Sequence, residues 1–144
     1  MNDAPTPIAD VLHAYADCVL RKDVAGFAAL YDADVQVFDA WDRWRMQGRA
    51  AMHAMATAWF QSLGEDRVQV TYAEVHGHAG AELAAVSALV TYTAVAADGK
   101  ALRSMANRMS LVLRRQSEGW SVVHEHTSVP VGFASRQAIP MAKG

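Results

Sequence analysis

From Arg67 to Ser128 the chain alternates apolar and polar residues, and two short turn signals, "ADGK" and "QSEG", cut the alternation. Period-two segments joined by tight turns describe antiparallel hairpins. With Asp98 and Gly99 centring the first turn and Ser117 and Glu118 the second, the pairing register follows by counting. The count puts Val86, Ala88, Val90 and Tyr92 on one face with Met105, Asn107, Met109, Leu111 and Leu113. It continues that face through Trp120, Val122, His124, His126 and Ser128. Ser87, Thr91, Thr93, Ser104, Arg108, Ser110, Arg114, Glu125 and Thr127 take the other. The first face is apolar with Asn107, His124 and His126 as exceptions, so the rest of the chain should cover it. In the hairpin before it, Val68, Val70 and Tyr72 compete with Ala73 and Val75 for the inner side, and the register stays open.

The first half of the chain supplies that cover. With Thr6 as N-cap and Pro7 at the first helical position, Ile8, Val11, Leu12, Tyr15 and Val19 recur at helical spacing, which turns Tyr15 inward. A short helix capped by Asp23 should bury Val24, Phe27, Leu30 and Tyr31. "DVQVFD" reads as a strand with Val35, Val37 and Asp39 on one side. The segment "GRAAMHAMATAWFQSLG" lies between glycines and lines up Met52, Met55, Trp59 and Leu63 on one helical stripe. Three helices followed by a curved, mixed or antiparallel sheet predict an α+β cone around a pocket.

Composition narrows the function classes. The 144 residues suit one domain, 1–144, with the placement of the tail 131–144 open. Lys and Arg number 13 against 15 acids and are scattered, so no basic face for nucleic acid or an anionic membrane is expected. Cys18 is the only cysteine, which removes intrachain disulfides and Cys-rich zinc sites from consideration. With no apolar run of membrane-spanning or signal-peptide length, the expected location is the cytoplasm. No cofactor is expected.

The stretches "RKDVAGFAALYDADVQVFDAWD", "QGRAAM" and "NRMSLVLRRQSEGWSVVHEHTS" resemble the NTF2-like superfamily, and within it the SnoaL-like and DUF4440-type, ketosteroid-isomerase-like proteins. The resemblance runs from about Ile8 to Pro130. It implies a cone-shaped fold and leaves the reaction open, because this superfamily hosts enzymes and non-catalytic modules alike. Compared with ketosteroid isomerases, Tyr15 falls at the oxyanion-hole tyrosine and Asp39 at or beside the general base. Asn107 falls near the second oxyanion-hole residue, which in those enzymes is a protonated aspartic acid.

On this reading Asp39, its pKa raised in an apolar pocket, abstracts a proton beside a carbonyl while Tyr15 and Asn107 stabilise the enolate oxygen. Each also has a structural reading: a core tyrosine, a loop cap and a bulge-fixing amide. His126 and His124, turned inward, would assist as pocket histidines; a metal site is not expected, because Glu125 points away and no third ligand is placed. Trp41 and Trp44 fall on the loop at the pocket mouth, and Met55, Trp59, Tyr92 and Met109 would line the pocket. The expected function is binding of a small apolar molecule, with isomerase- or dehydratase-like proton transfer. The alternative is a non-catalytic binding or assembly module. The partly apolar outer face suggests a homodimer.

Overall fold

The computed structural model describes residues 4–141, and the outermost positions of the expected domain, 1–3 and 142–144, lie outside it. The elements are α1 (Thr6–Arg21), α2 (Val24–Ala29), β1 (Tyr31–Phe38), β2 (Met46–Gln47), α3 (Arg49–Ser62), β3 (Arg67–Ala79), β4 (Leu83–Val95), β5 (Ala101–Gln116) and β6 (Gly119–Ser128). α1 buries Ile8, Val11, Leu12, Tyr15 and Val19 as its spacing requires. Pro5, not Thr6, precedes it, and no side chain caps it. Asp23 does cap α2, accepting from the Gly26 N–H at 2.9 Å. That helix is shorter than its apolar pattern suggests, since the Leu30 carbonyl is taken by the Val122 N–H (2.8 Å) and Tyr31 already belongs to β1. Tyr31 is a strand residue rather than a helix residue.

The six strands form one mixed sheet in the order β2-β1-β6-β5-β4-β3, with β1 parallel to β6 and the remaining neighbours antiparallel. The helices pack on one face: α1 against β3 and β4, α3 against β1 and β2, with α2 between them. The core under them is closed by Ile8, Leu12, Phe27, Tyr31, Val37 and Leu113, each at most 1 % exposed.

Along β4 and β5 the register is as counted, Val90 opposite Asn107 and Tyr92 opposite Met105, although beside the turn it shifts between Ala94 and Val95, which pairs with Ala101 and not Leu102. β5 and β6 start regularly, from Gln116 opposite Gly119 to Leu113 opposite Val122. Next, Val112 pairs with His124 and Val123 is left over. One extra residue in a strand is a β-bulge, and past it every side chain changes face. Glu125 and Thr127 therefore point inward, 6 % and 5 % exposed, and His124 and His126 point outward, the reverse of the orientation counted from the turn. The parallel neighbour holds this arrangement. Val37, fully buried, pairs with Glu125, while Gln36 and Phe38 pair with His124 and His126. On the outer side His124 Nδ1 lies 2.8 Å from the Gln36 carbonyl oxygen, and the Phe38 ring meets His124 at 5.1 Å and His126 at 5.5 Å.

The same device resolves the open hairpin. β3 shifts register between Ala73 and His76, with Glu74 at φ 50°, so Val68, Val70 and Tyr72 face inward before the shift and Gly77 after it. A Cβ on Gly77 would come within 2.5 Å of Ile8 Cδ1, so glycine lets α1 approach the strand. After β6 ends opposite Arg108, the chain folds back: Val131 bridges Ala138, and the Ala106 N–H donates to the Pro140 carbonyl at 2.7 Å. The tail thus takes the β5 edge that β6 leaves vacant. No helix among the described residues is long and apolar enough to cross a membrane.

These orientations predict a contrast in urea unfolding. Thr127→Val, which strands buried polar groups, should cost about 1–3 kcal/mol, whereas His126→Ala on the exposed side should stay within about 0.5 kcal/mol. A larger loss at His126 would contradict the bulged strand.

Candidate active site

Between α3, the end of β1 and the inner faces of β4 and β5 lies a cavity of about 470 Å³. Its floor is polar: Tyr15, Asn107, Glu125 and Thr127, all buried, with Asp39 at the side. Met46, Met55, Trp59, Val68 and Tyr92 form apolar walls, and the exposed Asp42, Arg43, Arg103 and Met105 surround the mouth with Trp41. α3 builds its wall by helical spacing. Met52, Ala56 and Phe60 point into the core, and Met55, Trp59 and Leu63, one step around the helix, face the cavity.

Three hydrogen-bonded groups organise the floor. Tyr31 Oη donates to Glu125 Oε1 at 2.7 Å, from beneath. Burial pushes the Glu125 carboxyl up to about 7, the charge of Asp39 adds to the rise, and the Tyr31 hydrogen bond opposes it. Thr127 Oγ1 donates to Asp39 Oδ1 and accepts from the Ala40 N–H, both at 2.9 Å, fixing Asp39 where β1 ends. The Tyr15 and Tyr92 hydroxyls lie 3.0 Å apart. Burial raises both phenols, and hydrogen bonding pulls Tyr92 partly back. The Asn107 Oδ1 is buried and has no partner among the described residues.

The cavity thus brings together Tyr15, Asp39, Asn107, Trp41, Met55, Trp59 and Tyr92 among the residues expected from sequence. It does not include His124 and His126, which the bulge sends to the other side of the sheet. Met109, 3 % exposed, is packed in the core, and Trp44, 94 % exposed, projects from the loop into solvent. Glu125, Thr127 and Tyr31 were not anticipated as site residues. The one hint was the apolar pair Val122–Val123, where strict alternation fails just before the histidines. No group of three or more potential ligands among the described residues could hold a metal ion.

A model of the SnoaL-like domain matches residues 8–132. The chain belongs to the SnoaL-like domain family. No curated protein matches it. Among solved structures it is similar to an NTF2-like protein of unknown function from Pseudomonas putida, with 24% identity over 96% of this chain and 95% of that one and a TM-score of 0.82. It is also similar to an NTF2-like protein with a cystatin-like fold from Novosphingobium aromaticivorans, with 16% identity, 91% and 84% coverage and a TM-score of 0.75. A third likeness is to a candidate dehydratase of the NTF2-like family from Streptomyces avermitilis, with 16% identity, 88% and 96% coverage and a TM-score of 0.73. At these identities the likeness establishes the SnoaL-like, NTF2-like cone and no reaction.

The Glu125 carboxyl makes stability depend on pH. Its folded value of about 7 lies above the ordinary 4.5, so between those values the folded chain holds a proton that the unfolded chain has lost. Its contribution is full below about pH 4.5 and is lost as pH rises through 7, a change of roughly 3 kcal/mol. Unfolding free energies at pH 4.5 and 8 should show this fall relative to Glu125→Gln, and parallel pH profiles for the two proteins would contradict it.

Proposed function

We propose that this protein binds a small, mostly apolar molecule and transfers a proton on it, as an isomerase- or dehydratase-type enzyme. The observation that carries the reading is two carboxyl groups in different settings within one cavity: Glu125, buried and poised near neutrality, and Asp39, half-buried on the Thr127 hydroxyl. Paired groups whose environments differ in this way divide the work of acid and base. Asp39 takes the proton from a carbon beside a carbonyl. Negative charge moves to the carbonyl oxygen, where the hydrogen-bonded Tyr15–Tyr92 pair has one O–H left to donate to it. Returning the proton at another carbon completes an isomerisation. If a hydroxyl leaves from the β carbon instead, protonated Glu125 supplies the proton and water departs as the double bond forms. The likeness to the Streptomyces avermitilis candidate dehydratase supports this class of reaction by analogy of fold.

The reading is tested by deuterium wash-in from D2O into a flat cyclic ketone, 2-tetralone, followed by mass spectrometry. Asp39→Asn should lower the enzyme-dependent rate by about 100-fold or more, while the thermal shift given by the same ketone is retained. Wild-type protein that binds the ketone without exceeding background exchange would contradict the enzyme reading and leave a non-catalytic binding module.

A further inference from the structure

The outer face of the sheet carries four histidines in two rows. His76 pairs with Ser87, Ser87 with Ser110 and Ser110 with His126, while His78 pairs with Ala85, Ala85 with Val112 and Val112 with His124. Each row begins and ends on a histidine. Both irregular strands are needed for this: the shift between Ala73 and His76 and the bulge at Val123 each turn a His-x-His segment outward. His124 Nδ1 lies 2.8 Å from the Gln36 carbonyl, which can only accept, so Nδ1 carries the proton and Nε2 keeps its lone pair. A backbone carbonyl on the far ring nitrogen is how metal-binding histidines are oriented. The His124 and His126 rings stand 6.4 Å apart, against about 5 Å for two imidazoles on one tetrahedral ion, and rotation of the exposed His126 closes the difference. Among the described residues no three potential ligands meet within one chain, since β3 and β6 are three strand spacings apart, about 14 Å.

A second copy supplies what one chain lacks. A two-fold axis parallel to the strands, above the boundary of β4 and β5, carries β3 onto β6 with no displacement along the strands, and it keeps two equally twisted sheets parallel. His76 of one copy then faces His126 of the other, and His78 faces His124. The strip between them, Ala85, Ser87, Ser110 and Val112, is small enough for the sheets to approach to about 10 Å. The neighbouring arginines lean away from it: Arg108 Nε donates to Ser128 Oγ at 3.0 Å, and Arg114 Nη2 to Asp32 Oδ1 at 3.1 Å.

We propose that divalent metal ions of the zinc class join two copies of this chain through these faces, each of two equivalent sites taking His124 and His126 from one copy and His76 and His78 from the other. Four imidazoles suit zinc, copper or nickel rather than magnesium or calcium. Neither site is complete in a single chain. Both lie across the sheet from the cavity, so the inference stands apart from the proposed proton transfer.

Cobalt(II) reports the geometry, because a tetrahedral ion absorbs visible light far more strongly than an octahedral one. Chelator-stripped wild-type protein titrated with cobalt(II) should develop the tetrahedral spectrum, saturate at one ion per chain and run as a dimer by light scattering. The double variants His76→Ala/His78→Ala and His124→Ala/His126→Ala should each lose about tenfold or more of that absorption, since each leaves every site two imidazoles short. Unfolded together in urea and refolded, the two variants form mixed dimers in which one site has all four histidines and the other has none. Absorption should then return to roughly a quarter of that of refolded wild type if pairing is random, and to about half if the metal selects the mixed dimer. A mixture no better than either variant alone, a tetrahedral site on a monomer, a spectrum that neither double variant changes, or the weak octahedral spectrum of a surface histidine pair would overturn the inference.

Discussion

The leftover residue in the pairing of β5 and β6 decides what the inside of this protein is. Without a bulge at Val123, two imidazoles would face the helices and the carboxyl between them would face solvent. With it, a carboxyl and a threonine hydroxyl enter the cavity, and the imidazoles sit outside against Phe38. The cost of burying a carboxyl is met in two ways. Glu125 keeps its proton to higher pH, and Tyr31 donates to it from the core. Thr127, inward for the same reason, positions Asp39 on the neighbouring strand. The parallel pairing of β1 with β6 therefore connects directly to the placement of both acids.

A second chain of dependence runs through the aromatic groups. Phe27 packs against Tyr15, Tyr31 and Phe60 at ring separations of 5.4, 5.3 and 6.0 Å, so α2 locks together the helix and strand that deliver the two tyrosines. Tyr15 then holds Tyr92 by a hydrogen bond across the floor, and Trp59 meets Tyr92 at 6.1 Å as the wall above it. Rigid support behind the hydroxyl is what hydrogen-bond stabilisation of a developing oxyanion requires, because a donor already in place needs no reorganisation during the reaction.

Much of this was legible in the sequence because it depends on spacing. The Asp98–Gly99 turn placed Tyr92 and Asn107 on the inner face, the α1 period placed Tyr15 there, and the β1 alternation carried Asp39 after Val37. Each inference needed only regular spacing over the residues it used, and the shift at Val95 leaves the pairs of Tyr92 and Asn107 as counted. The histidines failed for the converse reason. A bulge adds one residue without changing composition, and the energy that favours it here comes from a strand more than eighty positions earlier, in the pairs Gln36 with His124 and Val37 with Glu125. Trp44 and Met109 failed differently: loop direction and the depth of a residue within an apolar face are set by packing, which periodicity does not encode.

The central claim is that Glu125 lies in the cavity as a proton-carrying carboxyl that senses Asp39. An NMR titration of the 13C-labelled Glu125 carboxyl carbon, assigned with Glu125→Gln, tests it most directly. The structure predicts a midpoint near 7 that falls in Asp39→Asn, because removing that negative charge removes one of the causes of the rise. A midpoint near the ordinary 4.5, unmoved by Asp39→Asn, would place the carboxyl in solvent and contradict the account.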